Sequence, residues 1–365
     1  YRKNDTSLES YKLDSVSSHF IGDFVSAVEP CADGGSTTIR TKNMVGLLPG
    51  SYVQFKEILH SVDYYQEGRK FLVTKVDAAN KLFCVAAAVA PNMAKKVKWC
   101  LVKDDVTPQD IFRLTSGSDV DRAIVAKYCI QDCNLVHYLF NKSDVLTGVI
   151  EQASICNVPI SFIVTRGQGI KLTSLIVKKC SEWGILVPVI PKGVWYQAYE
   201  GALVLDPKTG IYLDNPTACN DYGSLYPSIM KSENYSHDSK VWTMEYDLTG
   251  ELVAETGDKN QEGEFTYDNL PEYEYETMEY DMYTWTINPE KPTAKAKKII
   301  SGRKVCRFVQ TDLDDTDRAV MPAILTEILG ARKATRKLIP HQTSDFMKQV
   351  LNQRQLGYKI VANSL

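Results

Sequence analysis

The sequence predicts a mixed α/β chain of more than one domain. Three observations carry this expectation. Residues 24–98 break into short runs rich in β-branched and aromatic residues, divided by turn formers. Residues 108–180 place apolar side chains at helical spacing. After Pro322 two more helical patterns follow, divided by Pro340. At 365 residues the chain is long enough for two or three domains of ordinary size.

Taken in order, residues 6–20 read as a short helix. In the β-rich stretch, Gln66-Glu67-Gly68-Arg69 and Asp77-Ala78-Ala79-Asn80 separate strand-like runs, so hairpins and a small barrel-like insert are expected. The run DVDRAIVAKYCIQDCNLVHYLF is helical, whereas VPISFIV reads as a short buried strand or extended run. Residues 199–230 read as strand, turn at Lys208-Thr209-Gly210, strand, and a tight turn into a helix with Pro227 in its first turn. Residues 237–310 are tyrosine-rich and read as an irregular insert. Pro322 opens a helix to Leu338; a second starts near Ser344-Asp345 and keeps its pattern to Leu365.

Composition narrows the function classes. Hydrophobic residues make up 44% and charged residues 24%, the balance of a soluble globular protein. The longest apolar stretch, Leu82 to Ala90, is too short to cross a bilayer, and nothing from Tyr1 onward reads as a signal peptide. Nine scattered cysteines without a CxxC pair read as reduced thiols, and five scattered histidines give no zinc pattern. A net charge of −3 argues against a small DNA-coating protein but not against an enzyme holding DNA on one local surface. The acidic stretch Glu251 to Asp281 and the lysine-rich stretch Lys291 to Lys304 read as solvated loops of opposite sign.

Three groups of residues could carry chemistry. In Asp221-Tyr222-Gly223-Ser224-Leu225-Tyr226-Pro227-Ser228, an aspartate at a strand end can hold a hard divalent cation. The following turn and helix start offer backbone N–H groups to an anion. Taken alone, the same residues also read as an aspartate capping a turn. Arg332 and Arg336 lie one turn apart on one helix, Lys359 and Asn363 one turn apart on the next. They suit phosphate, but basic residues facing solvent are commonplace on helices, and idealised hairpin arithmetic does not set Arg332 opposite Lys359. Tyr128 and Asp132, one turn apart, can ligate a metal and orient a water, or form an ordinary surface pair. Gly167-Gln168-Gly169 after Phe162-Ile163-Val164 lacks the third glycine of a dinucleotide-binding turn, since Leu172 stands there.

A resemblance joins these groups. DYGSLYPSI resembles the first polymerase motif of family-B DNA polymerases, and Lys359-Ile360-Val361-Ala362-Asn363-Ser364-Leu365 resembles their K-x-x-x-N-S motif. Between them, ILGARKATRK is similar to the arginine-bearing helix. YEGA at Tyr199 to Ala202 resembles the segment joining exonuclease to polymerase, and YCIQD at Tyr128 to Asp132 the third exonuclease motif. Tyr11-Lys12-Leu13-Asp14 and Arg166-Gly167-Gln168 also match the family. The motifs stand in the family's order, and the β-rich insert and HDSKVW segment look like polymerases of large nucleocytoplasmic DNA viruses.

The resemblance implies a fold and roles. Residues 1–195 would be the C-terminal part of an RNase H-like 3′–5′ exonuclease region, with the β-rich insert at about 24–105. Residues 196–236 would hold the linker motif and first palm segment, 237–317 a palm insert, and 318–365 the helical-hairpin fingers. Asp221 and the Tyr222 carbonyl would ligate two Mg²⁺ ions, with Mn²⁺ as a substitute. The amides of Ser224, Leu225 and Tyr226 would hold triphosphate oxygens, with Tyr226 under the sugar. Arg332, Lys359 and Asn363 would contact the triphosphate, with Arg336 secondary. Tyr128 and Asp132 would serve the exonuclease metal, and Tyr199 and Gly201 would touch DNA. The implied partners are primer-template DNA, dNTPs and a sliding-clamp-type processivity factor, with no membrane. The implied place is a viral replication site in the host cytoplasm or nucleus, or the nucleus if the source is not viral. Further metal carboxylates are expected outside residues 1–365, so the chain alone is expected not to extend a primer. The competing reading is a catalytically inactive relative serving as a DNA-binding replication scaffold.

Overall fold

Strand alternation winds Gly22–Val102 into a closed barrel. The computed structural model describes residues 8, 10–31, 34–103, 106–187, 197–199, 204–286, 297–310 and 318–365. They divide into two units, Tyr1–Leu146 and Thr147–Leu365. In the first unit the strands are β1 (Gly22–Pro30), β2 (Thr37–Thr41), β3 (Tyr52–Ile58), β4 (Val62–Tyr64), β5 (Phe71–Asp77), β6 (Leu82–Val85) and β7 (Lys96–Val102). Their order is β4-β3-β5-β6-β2-β1-β7, and a β3–β7 pairing closes six of them while β4 pairs outside. Closure satisfies backbone groups that an open edge would expose. Ile39, Val53, Phe55, Phe71, Val73, Phe83, Val97, Trp99 and Leu101 fill the interior. The Trp99 indole N–H donates to Thr41 Oγ1 at 3.0 Å, so the largest core side chain leaves no buried donor unpaired. A Cβ on Gly22 would lie 2.1 Å from the Trp99 carbonyl oxygen, so only glycine lets β1 approach β7 here.

Three helices accompany the barrel: α1 (Leu13–Phe20), α2 (Pro108–Thr115) and α3 (Asp119–Lys142). Thr107 with Asp110, and Ser118 with Asp121, form capping boxes that start α2 and α3. Val16 of α1 and Leu135 and Leu139 of α3 join the barrel core.

The second unit holds most of α4 (Val145–Cys156), then α5 (Ile160–Thr165), α6 (Gln168–Trp183), β8 (Gln197–Tyr199) and α7 (Leu225–Ser232). Next come β9 (Lys240–Tyr246), β10 (Leu252–Gly257), β11 (Tyr275–Thr286) and β12 (Lys297–Val309), then α8 (Val320–Leu338) and α9 (Asp345–Ala362). The strands form one antiparallel sheet, β10-β9-β12-β11-β8. Val320, Ile324, Leu325 and Ile328 of α8 pack with Cys156, Leu175, Cys180, Val361 and Ala362 in a second core. Arg354 of α9 grips Glu151 of α4 through two hydrogen bonds of 2.8 and 3.0 Å, anchoring the middle of α9 to α4.

Several expectations are corrected. Within residues 237–310 the described residues carry four paired strands, β9 to β12, where an irregular insert was expected. The tyrosine-rich β11 alternates aromatic, threonine and charged side chains. Residues 287–296, with Lys291, lie outside the described residues. The charges of these strands are not simply solvated: Arg303 pairs with Glu279 at 3.1 Å and Lys304 with Glu245 at 2.6 Å across strands. VPISFIV forms α5 behind Pro159 rather than a strand; a short apolar run carries no period to separate the two. Residues 204–222 contain no strand, so the expected pair flanking the Lys208 turn is absent there. The Gln66 turn does not join a hairpin, because β4 and β5 both pair with β3; the Asp77 turn does, between β5 and β6. The first helix begins at Leu13, and residues 1–7 lie outside the described residues. The helical pattern stops at Ala362, where Asn363 caps it. All nine cysteines are free thiols. Among the described residues, no helix is long and apolar enough to cross a membrane.

Candidate functional site

The DYGSLYPSI segment forms an open turn at the start of α7. Ser224 sits in the left-handed region at φ 58°, ψ 58°, and the chain enters the right-handed helix at Leu225. Successive amides in such a left-to-right turn point together and favour an anion. Pro227 in the first turn has no N–H, so the free donors concentrate at the helix start. The Ser228 hydroxyl donates to the Gly223 carbonyl at 2.9 Å and fixes the turn from within. Tyr222 and Tyr226 are 78% and 70% exposed, and Asp221 is exposed too.

Arg332, Arg336 and Lys359 line one cleft of about 370 Å³ between α8 and α9, with Gln355 and Asn352. The Arg332 Nε donates to Gln355 Oε1 at 3.4 Å, so Arg332 is level with Gln355, one turn before Lys359. Simple hairpin arithmetic misses this because α8 continues into a 3₁₀ turn, Ile339–His341, which lengthens its arm to match α9. Three cations share the cleft with no acid among its lining residues, an arrangement that suits phosphate. Asn363 lies one turn beyond Lys359, its amide bonded to the Lys359 carbonyl at 3.1 Å.

A short segment ties α7 to α8. Ala319 offers α8 no side-chain cap. Instead Asn234 Oδ1 accepts from the Ala319 amide at 3.1 Å, Asp238 Oδ2 from Val320 at 2.9 Å, and Ser236 Oγ from Met321 at 3.2 Å. These satisfy donors that a helix start leaves open. The turn bearing Tyr226 and the helix bearing Arg332 are thereby held by one clamp. No local signal marks this clamp, since the caps come from about 85 residues upstream.

In the first unit, Tyr128 and Asp132 share a face of α3, and Lys103 joins them. The Lys103 ammonium donates to the Tyr128 hydroxyl at 2.5 Å and lies 3.5 Å from Asp132 Oδ2. Burial pulls the Lys103 ammonium down, but the Tyr128 hydrogen bond and the Asp132 carboxylate outweigh it and hold it above its ordinary range. Asp132 Oδ1 is buried and has no hydrogen-bond partner, an acceptor left over for a cation. Sequence reasoning missed Lys103 because it follows β7, far from α3 along the chain. Tyr199 lies in β8, paired with Met282, while Gly201 falls outside the described residues. Among the described residues, no group of three or more His, Cys, Asp or Glu is placed to hold a metal ion.

Comparison with known proteins adds the lineage. The family model for DNA polymerase family B matches residues 158–365, more than half of the chain. The chain belongs to DNA polymerase family B. The DNA polymerase of Phaeocystis pouchetii virus is 45% identical over 364 residues, covering 100% of this chain and 34% of the relative. That of Pyramimonas orientalis virus is 34% identical over 410 residues, covering 100% and 30%. The DNA polymerase delta catalytic subunit of Candida albicans is 32% identical over 263 residues, covering 72% and 21%. The chain therefore spans about a third of the length of its viral relatives. A solved family B DNA polymerase from the hyperthermophilic archaeon Pyrobaculum calidifontis matches at a TM-score of 0.41 and 20% identity, over 68% of this chain and 25% of that one, too distant to define the fold. The family B match contains Asp221, Tyr226, Arg332 and Lys359. Tyr128 and Asp132 lie before it but within the stretch shared with the viral polymerases.

Proposed function

We propose that this chain works as part of a DNA-directed DNA polymerase with 3′–5′ proofreading in viral DNA replication. The observation that carries the reading is the cleft shared by Arg332, Arg336 and Lys359 in a chain of DNA polymerase family B. In this reading Tyr1–Leu146 and the following helices belong to an RNase H-like exonuclease region. The α7 turn begins the palm, and α8 with α9 forms the fingers. The guanidinium forks of Arg332 and Arg336 and the Lys359 ammonium bind triphosphate oxygens, Asn363 adds a polar contact, and the α7 amides cradle the same group. Tyr226 lies against the sugar. Tyr199 and Gly201 contact primer-template DNA, and a sliding-clamp-type factor supports processivity at a replication site in the host cytoplasm or nucleus.

The exposed carboxylate of Asp221 and the unpartnered, buried Oδ1 of Asp132 fit divalent-cation ligands. When bound, Mg²⁺ or Mn²⁺ held by Asp221 and the Tyr222 carbonyl, and separately by Asp132, supplies charge neutralisation at phosphate and acidifies the attacking oxygen. Tyr128 orients the water of the exonuclease. The test is primer extension by the full-length polymerase carrying this segment. Arg332→Ala and Lys359→Ala should each lower turnover by roughly 100-fold or more, as expected for lost transition-state donors. Undiminished extension by both variants would refute the reading.

A further inference from the structure

One outer face of the barrel carries a row of side chains that neither candidate site uses. The register sets Tyr64 on β4 opposite Lys56 on β3, Lys56 opposite Lys98 on β7, and Lys98 opposite Phe24 on β1. Their chain neighbours Phe55, Val97, Trp99 and Val25 point into the core, so all four of the row point outward. Phe24 and Tyr64, at the two ends, are 51% and 48% exposed. The Lys56 ammonium lies 4.9 Å from the Tyr64 ring centre. One step along the strands, exposed Lys96 stands opposite Ile58.

The charge on this face is not balanced locally. Of the acids on these four strands, Glu57 and Asp63 are engaged by Lys95, Asp23 accepts from the Asn43 amide and the Thr41 hydroxyl, and Glu29 stands five residues along β1 from Phe24. Lys98 donates to the carbonyl of His19 at 3.1 Å, and among the described residues no carboxylate pairs with Lys56, Lys96 or Lys98. Like charges directly opposite each other on a sheet are destabilising. An anionic partner would relieve that cost. The two aromatic ends add a second requirement, flat apolar surfaces that such a partner must cover.

We propose that this face docks single-stranded DNA, with Lys56, Lys96 and Lys98 on phosphates and Phe24 and Tyr64 stacked on bases. Three strand spacings put the two rings about 14 Å apart along the surface, with the lysines between them. Stacking on rings requires unstacked bases, which a duplex does not offer. Strand β7 runs from this face to Lys103, roughly 17 Å from Lys98, where Tyr128 and Asp132 are held. The face is therefore within reach of a single strand that visits the candidate exonuclease residues. The inference rests on the DNA chemistry of the proposed function but on none of its catalytic assignments.

The experiment is fluorescence anisotropy of labelled oligo-dT with the 365-residue chain across a salt series. Phe24→Ala with Tyr64→Ala should weaken oligo-dT binding by about 10- to 100-fold. That pair should leave binding of heparin, a polyanion without bases, unchanged. Lys56→Gln with Lys98→Gln should lower the salt slope by about 1.4, two phosphate contacts at about 0.7 each. Undiminished oligo-dT affinity in either folded double variant overturns the proposal. So does an equal loss for heparin in the aromatic pair, which would mark a general polyanion or acidic-protein surface. Should a variant fail to fold, photo-cross-linking of oligo-dT to the unaltered chain decides. Adducts on peptides with Phe24 or Tyr64 are expected, and adducts only elsewhere refute it. Because the readout is binding, the surface can fail while Arg332 and Lys359 still prove essential for extension, and the reverse.

Discussion

The two candidate aspartates sit in opposite surroundings. Asp132 is already organised: Lys103 lies beside one oxygen, Tyr128 is bonded to the same lysine, and the other oxygen is buried without a partner. Asp221 stands exposed before a turn whose neighbours, Tyr222 and Tyr226, also face solvent. The difference is one of preorganisation. At Asp132 the protein shields one carboxylate oxygen and leaves it unpaired, while Lys103 lies beside the other. Under the proposed reading a cation would meet an acceptor already in place. At Asp221 the turn offers donors and a carboxylate to solvent, so under the proposed reading the site would be completed only by its ligands.

The comparison breaks most sharply if the two carboxylates are not independent. In the full-length polymerase, Asp221→Ala should reduce primer extension by more than about 100-fold while leaving strand degradation largely intact. Asp132→Ala should do the converse. Loss of both activities from either substitution in a folded protein would end the two-site assignment.

The exposure of Tyr226 leads to a subtler test. If its ring packs against the bound sugar, Tyr226→Ala should raise the ribo-to-deoxy ratio of specificity constants by roughly 10- to 100-fold. The 2′-hydroxyl is the group that distinguishes the two substrates. Matched single-nucleotide insertions measure this, and an unchanged ratio in an active enzyme removes Tyr226 from that role.

How much of this could be read in the chain depends on the distance over which each feature is encoded. Capping boxes at Thr107 and Ser118, the proline breaks and the Ser344 cap are local signals, and the helices appear where those signals stand. The barrel was legible as short β runs, but its closure by β3 and β7 depends on partners 38 to 50 residues apart in sequence. The β9–β12 sheet was hidden by its charges, which look solvated one at a time and pair only across strands. At the candidate sites, Asp132, Tyr128, Arg332 and Lys359 stood out by type and spacing. Lys103 and the cleft did not, because one is brought by a neighbouring element and the other depends on a 3₁₀ turn.

The clamp around α8 gives a smaller effect of a different kind. Asn234 is buried, accepts from Ala319 and donates to the Val309 carbonyl at 3.1 Å. Asn234→Ala leaves both groups unpaired, at a cost of about 1–3 kcal/mol. For a unit of this size that is a fall of roughly 2–4 °C in Tm per kcal/mol, measurable by calorimetry. If Tm is unchanged, the clamp does not hold α8 as described.

The smallest expected effect returns to Lys103, where the sign of the pH dependence can be worked out. Its folded ammonium titrates above its ordinary range, because hydrogen bonding to Tyr128 and attraction to Asp132 outweigh burial. A group whose folded value is raised adds stability below its unfolded value, about 10.4, and loses that contribution as pH rises through the folded value. Lys103→Met keeps the apolar stem and removes the charge together with the hydrogen bond to Tyr128. It should cost about 1 kcal/mol at pH 7, since the lysine and Asp132 side chains keep 26% and 30% of their exposure and water screens the pair. The difference from the unaltered chain, followed by urea unfolding, should then shrink above about pH 10.4. Lys359→Met is the matched control. Lys359 makes no ion pair among the described residues, so its removal should change stability by no more than about 0.5 kcal/mol at any of these pH values. Equal, pH-independent losses for the two lysines would mean that Lys103 contributes packing and not charge. Asp132 would then be no more preorganised by its neighbours than Asp221.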